Sequence, residues 1–246
     1  MNSTKTNAMT TTQSEVDIHR GDDRGTTKAG WLHARHSFSF GRYHDPDRMS
    51  FRSLRVLNDD VIAGGGGFGK HPHDNMEIIS WMLKGALEHQ DSSGTRGVIQ
   101  PGDVQVMTAG RGLYHSEMNA SQTEPANLIQ IWIEPDQRDL EPTYAQRSFP
   151  KNDRRNQWQI VVSDDGREES LTIHQDAKLS ISELEEGRRL EIALNERRHG
   201  YLHLAYGAVR LGETTLRAGD AITWVGSRRL LVEALEESQL LLFDLA

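Results

Sequence analysis

Cysteine is missing altogether from this chain of 246 residues. Its absence excludes disulfides, thiol nucleophiles, thiolate zinc sites and iron–sulfur clusters together. Cohesion must come from core packing, which a chain of this length can supply without covalent staples. Proline is scarce, at 7 residues, and aromatics make up 7%. No apolar run approaches the roughly 18 residues that a membrane-spanning helix needs. Positive charge is also short: 28 Lys and Arg stand against 36 Asp and Glu, a net charge of -8. Nucleic acid requires a cationic face, and no Lys/Arg run provides one. The first fifteen residues are rich in Thr, Ser and Asn and lack an apolar stretch. They read neither as a signal peptide nor as an anchor, and residues 1–15 are expected to be a disordered extension on a cytoplasmic protein.

What is present is unevenly spread. Of the 11 histidines, His19, His33, His36, His44, His71, His73, His89 and His115 precede residue 120, and half of the 22 glycines fall between Gly64 and Gly112. Short apolar or alternating runs predict strands near Leu54–Leu57, Glu77–Leu83, Val104–Met107, Leu128–Ile133, Gln159–Val162, Leu190–Leu194, Tyr201–Ala205, Ala221–Trp224 and Leu240–Leu245. Turn signals such as Pro101-Gly102-Asp103 and Ala218-Gly219-Asp220 separate them. One short helix is expected around Ser182–Glu186. The pattern argues for sandwiches or barrels rather than alternating strands and helices. Gln100-Pro101-Gly102-Asp103-Val104 resembles Arg217-Ala218-Gly219-Asp220-Ala221, and Gly85-Ala86-Leu87 pairs loosely with Gly207-Ala208-Val209. This weak repeat predicts an all-β chain of two similar β-barrels, residues 16–150 and 151–246, divided at the polar stretch 148–156.

The run from Gly64 to Lys70 imitates the opening of a phosphate-binding loop. His71 stands where Ser or Thr should coordinate magnesium, and Pro72 pushes His71 toward extended geometry. Two other pairs carry more chemistry: His71-Pro72-His73 and His115-Ser116-Glu117. On a strand, i and i+2 side chains share one face, roughly 6.5 Å apart. If both strands cross one barrel, three imidazoles and a carboxylate converge, a set that suits a divalent metal and leaves open positions. Glu77, four residues beyond His73, is the rival carboxylate.

At this point the sequence resembles a known family. His71-Pro72-His73-Asp74-Asn75-Met76-Glu77 with Gly85 is similar to the first cupin motif, and Pro101-Gly102-Asp103 through His115 and Asn119 to the second. More narrowly, the chain resembles pirins of the bacterial quercetin 2,3-dioxygenase type. The strings that carry the likeness include Trp31 with His36-Ser37-Phe38-Ser39-Phe40, Leu54-Arg55-Val56-Leu57-Asn58-Asp59-Asp60, Glu88-His89-Gln90-Asp91-Ser92, Met107-Thr108-Ala109-Gly110-Arg111-Gly112 and Gln130-Ile131-Trp132-Ile133. It runs from about Ile18 to Leu245.

The resemblance implies a bicupin, two jelly-roll domains, whose second domain lacks a metal motif. It agrees with a C-terminal half holding only His174, His199 and His203. It implies one divalent metal per chain, Fe(II) favoured over Mn, Ni, Co, Cu or Zn, held by His71, His73, His115 and Glu117. It leaves Glu77 as a partner behind the ligands or at the pocket mouth. Phe38, Phe40, Gln130 and Trp132 are candidates to line the pocket. The implied reaction is cleavage of a quercetin-type flavonol by dioxygen, with release of carbon monoxide and a depside, and Glu117 taking the flavonol proton. A flavonol-like small molecule and dioxygen are the implied partners, and a monomer is expected. The alternatives are a regulatory module that binds a protein partner and keeps a structural or redox-sensing metal, and a cupin isomerase acting on another substrate.

Overall fold

The structure is a computed structural model that describes residues 16–246; the extension expected over residues 1–15 lies outside them. Among the described residues, the regular elements are strands and three short 3-10 turns. The strands build two like units, each with a seven-stranded and a four-stranded sheet. The N-terminal unit's larger sheet contains Asp103–Thr108, Glu77–Lys84, Ala126–Ile133 and Leu54–Ile62 side by side, and its smaller sheet runs Gly67–His73, Leu113–Asn119, Leu87–Asp91, Arg96–Ile99. The expected all-β chain of two related units is therefore present, as jelly-roll sandwiches with open edges.

The repeat in the sequence is a repeat in geometry. The Asp103 amide donates to the Gln100 carbonyl at 2.8 Å, and the Gln100 amide donates to the Asp103 carboxylate at 3.0 Å. Asp220 and Arg217 make the same two bonds, at 2.9 and 3.0 Å. Gly102 and Gly219 take φ of 95° and 88°, a region that side chains other than glycine's rarely enter. One expectation fails: Ser182–Leu184 lies in the strand Ala177–Leu184, paired with Ser238–Leu245. Buried Leu179 and Ile181 alternate with Ser180, a period-2 pattern, and only the acidic turn after Leu184 imitated a helix end. The first described strand, Asp17–His19, pairs with Ala221–Val225 and so joins the C-terminal unit's sheet, although the N-terminal unit was expected to begin at residue 16.

The strand Glu77–Lys84 shows how the fold positions the site. Alternate side chains point to opposite faces. Ile79 and Trp81 enter the core between the two units, with Ile131, Tyr201, Leu241 and Phe243. The Trp81 indole N–H donates to Gln239 Oε1 across that interface at 2.7 Å. Ile78, Ser80 and Met82 face the N-terminal unit's own interior, where Met82 packs with Leu87, Ile99 and Leu128. Burying each large apolar side chain stabilises the fold by about 1.5–3 kcal/mol, so the interface fixes the big sheet and hence the floor of the site.

Candidate metal centre

Two strands of the smaller sheet bring the histidine pairs together. His115 lies opposite His71 across the ladder between Leu113–Asn119 and Gly67–His73, and Leu113 lies opposite His73. Their Nε2 atoms converge: those of His71 and His115 are 3.0 Å apart. The His73 ring sits 4.7 Å from both neighbouring imidazoles, centroid to centroid. The register then slips by one residue between His115 and Glu117, so that Glu117 pairs with Phe68. A bulge of this kind re-aims side chains, and here it turns Phe68 onto the face that carries His71 and His73. Gly67 ends the bulge at φ 156°, where an added Cβ would come within 2.5 Å of the Glu117 carbonyl.

Ring tautomers are set by neighbours. His71 Nδ1 lies 2.7 Å from the Gly69 carbonyl, which makes it the donor and leaves the Nε2 lone pair facing inward. His115 Nδ1 lies 3.4 Å from His89 Nδ1, and His89 Nε2 lies 3.3 Å from Asp91 Oδ2. Asp91 Oδ1 accepts from the amides of Ser93 and Thr95 and from the Ser93 hydroxyl. Read outward from that turn, Asp91 fixes the proton on His89 Nε2, the His89 lone pair takes the His115 Nδ1 proton, and His115 Nε2 is left free. Tyr144 stacks on His89 at 4.7 Å. Partners behind a metal-binding imidazole typically change affinity about 10–100-fold. His89→Phe is expected to weaken metal binding by that order while preserving the fold, as read by competition with a chelator.

Glu117 is buried on the same strand. Gln105 Nε2 donates to its Oε1 at 3.3 Å, and the Ser80 hydroxyl lies 3.4 Å from the same oxygen and 3.1 Å from Gln130 Oε1. Two trios of donor atoms fall within 4.8 Å of one another: His71, His73 and His115, and His89, His115 and Glu117. His115 is common to both, so the four residues predicted to act together do not form a single tight cluster; His71, His73 and Glu117 line one cavity, and His115 stands behind them.

That cavity encloses about 260 Å³, near the lower bound of roughly 300–1,000 Å³ for small-molecule sites. Phe40, Phe68 and Trp132 wall it, with the Phe40 and Trp132 rings edge to face at 5.3 Å. Asn58, Asp60 and Gln130 add polar groups beside the imidazoles and Glu117. A larger groove, about 740 Å³, crosses the C-terminal unit near Ile18, Leu211 and Arg228, but no imidazole lines it.

Two candidates move elsewhere. Phe38 is buried in the core between the units, against Tyr201 at 5.8 Å, and does not line the cavity. Glu77 belongs to the opposite face of its strand from Ser80, and its carboxylate binds the Thr108 hydroxyl at 2.8 Å and His174 Nδ1 at 3.0 Å. It is therefore an interface group, neither behind the imidazoles nor at the pocket mouth. His89, Asp91 and Asp60 were not singled out from the sequence as site residues. The i, i+2 spacing of His89 and Asp91 on a strand is the signal that could have found the first two.

Burial governs the protonation of the site. It lowers His73 to about 4 and His115 to about 2, with neighbouring imidazolium charge adding to the effect. Both rings are thus neutral, with lone pairs available. Burial pushes Glu117 up to about 7, against the hydrogen bonds from Gln105 and Ser80. It pushes Asp60 up to about 8, reinforced by Asp59 and Glu117 and opposed by Arg24. The two acids keep their protons longer in the folded chain than in the unfolded one. Between pH 4 and about 8 the native state therefore binds more protons, and stability falls as pH rises. The imidazoles act oppositely, and only below pH 6.5, where the unfolded chain takes up protons first. Metal-stripped protein is expected to lose melting temperature between pH 6.5 and 8, and Asp60→Asn to flatten that loss, as followed by calorimetry.

The donor set fits a divalent ion: three imidazoles, two of them with fixed tautomers, and a carboxyl group. Comparison with known proteins agrees with this chemistry. The pirin family profile matches residues 19–133, and the profile of the quercetinase C-terminal cupin domain matches residues 160–245. The chain is 39% identical over 230 residues to the quercetin 2,3-dioxygenase of Escherichia coli K12, covering 94% of this chain and 98% of that protein. It is 40% identical over 234 residues to a pirin-like protein of Caulobacter vibrioides, covering 94% and 100%. Among solved structures, a bacterial pirin of Escherichia coli in complex with nickel(II) superposes with a TM-score of 0.88 at 38% identity, covering 94% of this chain and 99% of that one. With two cupin units, a histidine-lined cavity in the first and relatives at this level of identity over nearly its whole length, the chain belongs to the pirin family.

Proposed function

We propose that this protein is a metal-dependent dioxygenase that cleaves a quercetin-type flavonol, with one divalent ion per chain, Fe(II) favoured, at His71, His73, His115 and Glu117. The observation that carries the reading is the convergence of three imidazoles beside an aromatic-walled cavity that also holds a buried carboxyl group. The names of the relatives support it.

A bound divalent ion would supply Lewis-acid and redox capacity to activate the flavonol oxygen toward dioxygen. The residues around it divide the remaining work. His71, His73 and His115 offer lone pairs, two of them oriented by Gly69 and His89. Phe40 and Trp132 hold the planar rings and exclude water. Glu117 Oε1 is engaged by Gln105 and Ser80, which leaves Oε2 to accept the flavonol proton. A carboxyl with a pKa of about 7 is matched to that task near neutral pH.

Chelation provides the test. Stripped protein should bind flavonol weakly and release no carbon monoxide, and adding back one equivalent of Fe(II) or Ni(II) should restore turnover. Turnover at the full rate by stripped protein would overturn the reading.

A further inference from the structure

Two residues of the cavity carry a buried polar atom without a partner, the indole N–H of Trp132 and the carboxyl of Asp60, and Asp60 is the acid of the two. Asp60 is only 3% exposed, lines the cavity, and its Oδ1 is buried with no hydrogen-bond partner. Its ladder neighbours, Ala34 and Leu128, are apolar. The nearby cation does not pair with it: the Arg24 guanidinium donates to the carbonyls of Arg35, at 2.9 Å, and Leu57, at 3.5 Å. The other acid of the cavity, Glu117, has two partners. Asn58 Oδ1 meets His36 Nδ1 at 2.8 Å, and Gln130 Oε1 meets Ser80. A buried carboxyl without a partner is unfavourable for folding, so its presence calls for a partner from outside the protein. The cavity is walled by the aromatic rings of Phe40, Phe68 and Trp132, and a carboxyl among such walls can pair with a phenolic hydroxyl of a planar ligand.

We infer that Asp60 binds a hydroxyl of the substrate other than the one delivered to the imidazole cluster, and so selects polyhydroxylated aromatics over singly hydroxylated ones. The inference rests on the flavonol reading above and adds the group that sets its specificity. Asp60 is not placed to hold the metal, since neither donor cluster includes it.

Two ligands separate the roles. Quercetin and 3-hydroxyflavone share the hydroxyl that would meet the metal, and only quercetin carries the others. Affinity is read by fluorescence titration of nickel-loaded full-length protein without oxygen. Wild type is expected to favour quercetin by about 10- to 100-fold, the range for a hydroxyl that satisfies a buried polar group. Asp60→Leu should abolish the preference by weakening quercetin alone. Its metal content should be unchanged, and its melting temperature equal to or above that of wild type, because an unpaired buried carboxyl has gone. Asp60→Asn, which keeps hydrogen-bonding capacity, should retain part of the preference, and it serves if the leucine variant fails to fold. A wild type that binds quercetin tightly while Asp60→Leu and Asp60→Asn keep its full preference would overturn this inference and leave the flavonol reading standing. A metal-loaded wild type that binds neither flavonol would overturn both.

Discussion

Replacing His115 with alanine is expected to empty the metal centre while leaving two folded units. His115 is the common member of both donor trios, and its Nε2 sits 3.0 Å from that of His71. Its removal takes away a ligand and leaves the Asp91–His89 pair with nothing to orient. The loss should exceed the ~10–100-fold seen when a partner behind a ligand is removed, and should reach substoichiometric metal after dialysis. The fold should survive, because the core between the units draws on Trp81, Tyr201 and Phe243 on the far side of the large sheet. His73→Ala should behave alike, whereas changes at His174, His199 and His203 should leave metal content untouched. Elemental analysis together with circular dichroism decides the matter. Full occupancy in His115→Ala would remove this residue from the centre.

Glu117→Gln is expected to keep most of the metal and to lose turnover by about 10²–10⁴-fold, the usual contribution of a positioned base. Glutamine has the same shape and can keep Oε1 near Gln105 and Ser80, but it cannot take a proton. The sequence left Glu77 as the rival carboxylate. The structure turns it to the other face of the sheet, where Thr108 and His174 hold it, so Glu77→Gln should leave turnover per bound metal near the wild-type value. Raising the pH ionises the flavonol in solution and should partly rescue Glu117→Gln. A decrease in rate that only tracks lost metal would make Glu117 a ligand and nothing more.

Much of this was legible in the sequence because the signals are local. A strand has a period of two, so His71 with His73, and His115 with Glu117, had to share faces once strands were assigned. The turns at Gly102 and Gly219 announced two related units because the same aspartate closes both. What escaped notice depends on longer-range packing. Phe38 and Phe40 lie two residues apart, yet one enters the interface and the other the cavity, a division set by a turn segment in which alternation does not apply. Glu77 was misplaced because the phase of its strand is fixed by Ile79 and Trp81 meeting the C-terminal unit. Phe68 reaches the cavity only through a bulge that no spacing rule foretells. Asp60 sits in a run of two aspartates, and only the ladder with Ala34 and Leu128 shows which of them is sequestered.

In the proposed function, flavonol cleavage depends on a single metal held by the N-terminal unit and on dioxygen. The direct measurement is elemental analysis of the purified full-length protein combined with quercetin turnover in air and under anaerobic conditions. The expected result is one divalent ion per chain, carbon monoxide release in air in proportion to that metal, and bound but uncleaved quercetin without oxygen. Cleavage that proceeds equally without oxygen, or at a rate independent of metal content, would contradict it.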